Sequence, residues 1–252
     1  GGSCMSSLAV GLLLIVATLF IMAVFAFLDR SRIKINFRQI PSLESLQKSI
    51  NLVVEGGKGV HISLGRGSFL SPHFAGTLVG LNLLKFLTKR CLNGDVPPLS
   101  TSGDGLIHIL SQETLDSAYE RSHLPEKHGH AEAQVVGLTP YSYIGGAMMA
   151  QRDEQQIVML IAGHYGAEAA LLADMAERSR SHTISGTDDI SAQAMLFVTT
   201  RAPLIGEEFF AAPAYTNPTL LNTSSLKAQD ALRIVFAAGL IIGAILKLVG
   251  VL

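Results

Sequence analysis

The chain is predicted to be an α/β protein, with a mostly parallel, Rossmann-like sheet flanked by helices and set between an N-terminal and a C-terminal transmembrane helix. Three observations predict it. Residues 8–28 are an apolar run without a charged side chain, and as a helix rising about 1.5 Å per residue such a run spans about 31 Å, enough for a bilayer core. Residues 231–252 form a second apolar run whose only charges are Arg233 and Lys247. Between the two lie short apolar segments without clear alternation, each separated from the next by a helical pattern, as in a parallel sheet covered on both faces.

The elements follow in chain order. After the membrane run at 8–28, residues 29–40 make a basic juxtamembrane linker. The α/β domain then covers 41–216, a linker covers 217–230, and the second membrane helix covers 231–252. Ser42 is placed to cap a first helix with Leu43, Leu46, Ile50 and Val53 or Val54 on one face, stopped by Gly56-Gly57. Strands are expected at 60–64, 98–101, 134–138, 157–162, 182–185 and 195–199. Helices are expected near 74–91, 105–121, 141–151, 166–178 and 204–212, with no more than a turn or two at 188–192.

Arg30, Arg32, Lys34 and Arg38 follow the first apolar run and no charge precedes it, while Lys227 and Arg233 stand at the start of the second. By the positive-inside rule the central domain is expected in the cytoplasm, with both termini outside an inner (cytoplasmic) membrane crossed twice. A cleaved signal peptide fits less well, because the run is too long and its N-terminal flank lacks Lys and Arg. Cys4 and Cys91 then fall on opposite sides of the bilayer, so Cys91 is expected as a reduced structural thiol. Near-neutral charge and the absence of Trp give nucleic-acid binding no support.

Ligands of a parallel sheet bind beyond the carboxyl ends of its strands. The turns expected there are rich in Gly, Ser, Thr and Asp. They supply the candidate ligand-binding residues: Gly65, Arg66, Gly67 and Ser68; Ser102, Gly103 and Asp104; Gly163, His164 and Gly166; and Asp188. Arg66 offers a partner for a small anion, and His164, near Glu168, stands where a general base could act. The dinucleotide fingerprint is incomplete, since Leu70 occupies the place of its third glycine and no acidic residue stands about twenty residues further on. No cofactor is assigned.

His123, His128 and His130, near Glu126 and Glu132, have no established zinc spacing, so no metal ligands are assigned. No Gly-x-Ser-x-Gly elbow occurs. Phe209 and Phe210 offer an apolar surface beside Glu207 and Glu208, and Gly239 and Gly243 form a small-xxx-small step. These four residues are the candidate oligomer or membrane contacts.

The segments VHISLGRG (60–67), PLIGEEFFAAPAY (203–215) and SLKAQDALR (225–233) resemble a family of uncharacterised bacterial membrane proteins classed as a domain of unknown function. The resemblance implies a coherent domain and brings no activity with it. The expected function is a membrane-anchored homo-oligomeric scaffold or assembly subunit, partnered by the lipid bilayer and by copies of itself. The alternative is a sensor of a nucleotide or other small anion at the carboxyl edge of the sheet, and enzyme action comes third.

Overall fold

The computed structural model describes residues 2–28, 38–92, 94–122, 132–153 and 156–248. It separates into two compact units, 38–216 and the paired terminal segments 1–37 and 217–252.

The first unit is an α/β domain whose six strands are all parallel, in the order β3-β2-β1-β4-β5-β6. They are β1 (Gly59–Gly65), β2 (Leu99–Ser102), β3 (Ala133–Val135), β4 (Gln156–His164), β5 (His182–Thr187) and β6 (Ala202–Leu204). The order runs outward from β1 in one direction and from β4 in the other. The carboxyl ends of those two central strands therefore flank the topological switch point of a doubly wound sheet.

Helices cover both faces. On one side lie α2 (Pro41–Gly56), α3 (Phe74–Cys91), α4 (Gly105–Arg121) and α8 (Glu207–Thr216), against Val60, Ile62, Leu64, Val158, Leu160 and Ala162. On the other lie α5 (Pro140–Asp153), α6 (Ala169–Arg178) and α7 (Ile190–Thr199), against Met159 and Ile161. The two central strands are buried on both faces: β4 reads as a continuous apolar run, whereas β1 alternates, with Val60, Ile62 and Leu64 in one core and the buried polar side chains of His61 and Ser63 on the other face.

Two local expectations are corrected. Residues 195–199 are the end of α7, and the sixth strand is β6 at Ala202–Leu204. Met195, Leu196, Phe197, Val198 and Thr199 have strand-like composition, but a parallel β5–β6 connection needs a crossover that passes over the sheet. Ala192 and Leu196, four residues apart, are the side chains α7 buries. Secondly, Ser42 does not cap α2. Pro41 opens the helix after Ile40, and the Ser42 hydroxyl donates instead to the Pro203 carbonyl at 2.9 Å. The stop comes at Gly57, in the left-handed region with φ 60°.

In the second unit α1 (Gly2–Leu28) packs against α9 (Leu220–Leu248). α9 is one continuous helix that begins within the expected 217–230 linker. It is the one helix among the described residues long and apolar enough to cross a membrane, and the apolar stretch found in α1, Ile15–Phe25, is shorter.

Candidate functional site

The switch point gathers side chains from three loops. The β1–α3 loop carries Arg66 and His73, β4 ends on His164 with Glu168 just beyond, and the β5–α7 loop carries Asp188.

The geometry starts from Gly65. It ends β1 at φ 73°, and a Cβ there would run into the His164 carbonyl oxygen. Only glycine tolerates both the backbone angle and that approach. The turn is held by hydrogen bonds from Arg66 N to the His164 carbonyl, 3.1 Å, and from Gly65 N to the Tyr143 hydroxyl, 3.1 Å. The two central strand ends are thereby locked together, so that Arg66 and His164 emerge from adjoining backbone.

Beneath the turn lies a buried polar network on the α5–α6 face of the sheet. The Tyr165 hydroxyl donates to Ser63 Oγ at 2.7 Å, Ser63 lies 2.6 Å from the Tyr143 hydroxyl, and Tyr143 donates to the Thr101 carbonyl at 3.2 Å. His61 joins at the other end. Its Nδ1 donates to Gln151 Oε1 at 3.0 Å, and its Nε2 accepts from Thr101 Oγ1 at 2.8 Å. Burial pushes the His61 imidazole down to about 4, against the upward pull of the Gln151 hydrogen bond, so the ring is held neutral. Full satisfaction makes such a network a rigid floor.

Where α3 begins, with the Asp188 carboxylate beside Gly76, stands a His–Asp–His cluster. His164 Nδ1 lies 2.7 Å from Asp188 Oδ1 and His73 Nδ1 lies 3.1 Å from Oδ2, so each imidazole engages its own carboxylate oxygen. The two rings stack with centroids 4.0 Å apart and planes 16° apart. Partial burial raises the Asp188 carboxyl, but the hydrogen bond and charge of His164, with the hydrogen bond of His73, outweigh it and hold the group below its ordinary value. Beside the cluster, Arg66 lies 3.8 Å from Glu168 Oε1, which also accepts the Gly166 N–H at 3.1 Å.

The remaining candidates are framework at this edge. Asp104 caps α4 by accepting from Leu106 N and Ile107 N, at 2.9 and 3.2 Å. Ser68 closes a turn by accepting from Ser71 N, and the Gly67 carbonyl faces the Thr77 hydroxyl at 3.5 Å. Ser102 is the last residue of β2, and the stem of Arg66 fills the space beside Gly103 that a Cβ would need. Gly163 pairs with Thr187 across β4 and β5. Asp189 caps α7 through Ala192 N at 2.8 Å, which leaves Asp188 as the acidic group turned to the imidazoles.

Of the candidate contacts, Phe209 is fully buried and packs on Gly186, while Phe210 is 42% exposed. Gly239 and Gly243 have open space beside them. The triplet His123, His128 and His130 lies outside the described residues. Sequence reasoning passed over His73. Its signal was position, one residue before a helix that follows a strand and a Gly-x-Gly turn. A separate cleft of about 210 Å³, lined by Lys85, Lys89 and Arg121 among others, lies at the C-terminal ends of α3 and α4, at the sheet's opposite edge.

A family model described as Domain of unknown function (DUF6754) matches residues 5–252. The chain belongs to this family. The match takes in the switch-point residues and α9 alike. No curated protein and no solved structure matches the chain.

Proposed function

We propose that this DUF6754 chain is a membrane-anchored sensor whose α/β domain binds a small ligand at the switch point between β1 and β4. One observation carries the reading: Arg66, His73, His164, Glu168 and Asp188 converge there from three loops, at the edge where open α/β sheets take ligands. The charge balance revises the anion expectation. Arg66 already faces Glu168, and Asp188 adds a second carboxylate to the crevice, which favours a ligand with cationic character or one that brings a cation. In this reading α9 and the 8–28 run both cross the bilayer, and the Lys and Arg residues at 30–38 keep the domain on the cytoplasmic side. The test is native mass spectrometry of the full chain in nanodiscs. Wild type is expected to retain a stoichiometric ligand or metal mass, and Arg66→Ala or Asp188→Asn to lose it while far-ultraviolet circular dichroism stays unchanged. A wild type without added mass, unresponsive to added small ligands, counts against the reading.

A second reading, self-association as a scaffold, draws support from α7. Ile190 (83% exposed), Phe197 (65%) and Val198 (83%) line one face with Ala194, an unpartnered apolar stripe at helical spacing. Phe197→Asp is expected to lower the subunit number by light scattering, and an unchanged mass would remove this contact.

A further inference from the structure

The switch-point cluster has a more definite chemistry than a general ligand site, and the inference here rests on the ligand-binding reading above. We propose that His73, His164 and Asp188 bind a single divalent transition-metal ion of the zinc or iron(II) class, leaving at least one coordination position open to the outside.

The donor atoms are assembled from three separate elements. One stands just before α3, one ends β4 and one follows β5, and one ligand atom from each lies within 4.8 Å of the other two. Bonds of about 2.0–2.2 Å from zinc to nitrogen and oxygen hold tetrahedral neighbours roughly 3.4 Å apart. The Nδ1–carboxylate separations of 2.7 and 3.1 Å are hydrogen-bond lengths, which a bound ion would widen by roughly 0.3–0.7 Å. Binding therefore needs only small side-chain adjustments and the transfer of each ring's Nδ1 proton, to Nε2 in a neutral ring or to solvent from an imidazolium.

The chemistry of the set narrows the ion. Two imidazoles and one carboxylate suit zinc, iron(II) and their neighbours, whereas magnesium and calcium prefer oxygen-only sets. Three protein ligands leave a fourth position for water or for an anionic group of a ligand. The carboxylate is mostly enclosed, with its side chain 10% exposed, while His73 is 48% exposed, so the site is anchored from below and reached from above.

The experiment uses the full chain, without an affinity tag, stripped with a chelator in nanodiscs and titrated separately with cobalt(II) and zinc(II). Wild type is expected to take up one equivalent of zinc and to give a cobalt(II) ligand-field spectrum of a low-symmetry, nitrogen-containing site. His73→Ala, which alters a half-exposed ring, and the isosteric Asp188→Asn are expected to weaken binding by at least about tenfold, with metal-free melting temperatures close to wild type for His73→Ala. Wild-type failure to bind either ion overturns the proposal. So does binding that survives both substitutions, or that is lost only in His128→Ala or His130→Ala. If an organic ligand is retained at the switch point while neither metal binds, the metal is wrong and the ligand-binding reading stands. If neither is found, both fall.

Discussion

The backbone of Gly65 lies so close to the carbonyl oxygen of His164 that no side chain fits between the ends of β1 and β4. Gly65 also has φ 73°, a conformation L-residues rarely adopt. Gly65→Ala is expected to lower stability by more than the roughly 1–3 kcal/mol of backbone strain alone, because the clash adds to it. Gly206 provides the comparison, with φ 58° and nothing within 4 Å of a Cβ. Gly206→Ala should cost about 1 kcal/mol, so thermal melting of the two variants separates strain from contact.

Tyr143 supports the same turn from below. Its hydroxyl accepts the Gly65 N–H and meets Ser63 and Thr101. Tyr143→Phe strands these groups in a buried site and should cost about 1–3 kcal/mol, whereas Tyr165→Phe, which removes one donor to Ser63, should cost less. Equal losses on chemical denaturation would show that the network is not centred on Tyr143.

His61 makes stability depend on pH. Its folded pKa, about 4, lies below the ordinary 6.5 of the unfolded chain, so between those values the unfolded state holds more protons. Its full contribution, roughly 3 kcal/mol at the order-of-magnitude level, is present above pH 6.5 and is lost as pH falls towards 4. Melting temperatures of wild type and His61→Gln between pH 7.5 and 5 check this, and the wild type should show the steeper decline.

Asp104 and Asp188 should separate by role. Asp104→Ala removes a helix cap and is expected to cost about 1 kcal/mol with metal and ligand binding intact. Asp188→Asn should do the reverse, losing binding first. Parallel melting and binding assays on the two variants decide it.

Phe209 and Phe210 differ in the same way. Phe209→Ala opens a cavity beneath β5 and is expected to cost about 3–5 kcal/mol, while Phe210→Ala, at a half-open position, should cost less than about 1 kcal/mol. A change in subunit number in Phe210→Ala with unchanged stability would mark a surface contact.

The apolar segments at 60–64 and 157–162 announced buried parallel strands, and helices near 74–91 and 105–121 were legible from their helical patterns, whereas Asp104, expected as a ligand-binding residue, caps the second of them. The error at 195–199 has a clear cause. Local composition favours a strand, whereas the need to cross over the sheet between parallel neighbours imposes a helix. At the site, His164 and Asp188 were legible because strand ends followed by polar turns mark the ligand edge. His73 was not, since its role depends on a loop folding back over β4.

The sequence by itself determined the alternation of elements, the apolar C-terminal run and the polarity of one sheet edge, because periodicity and turn chemistry are local properties. Only the tertiary structure decided which turns meet. Strand order places β1 beside β4, and backbone contact at Gly65 brings residues nearly a hundred positions apart into one crevice. The pairing of two imidazoles on one carboxylate is a consequence of that long-range closure, which no local pattern encodes.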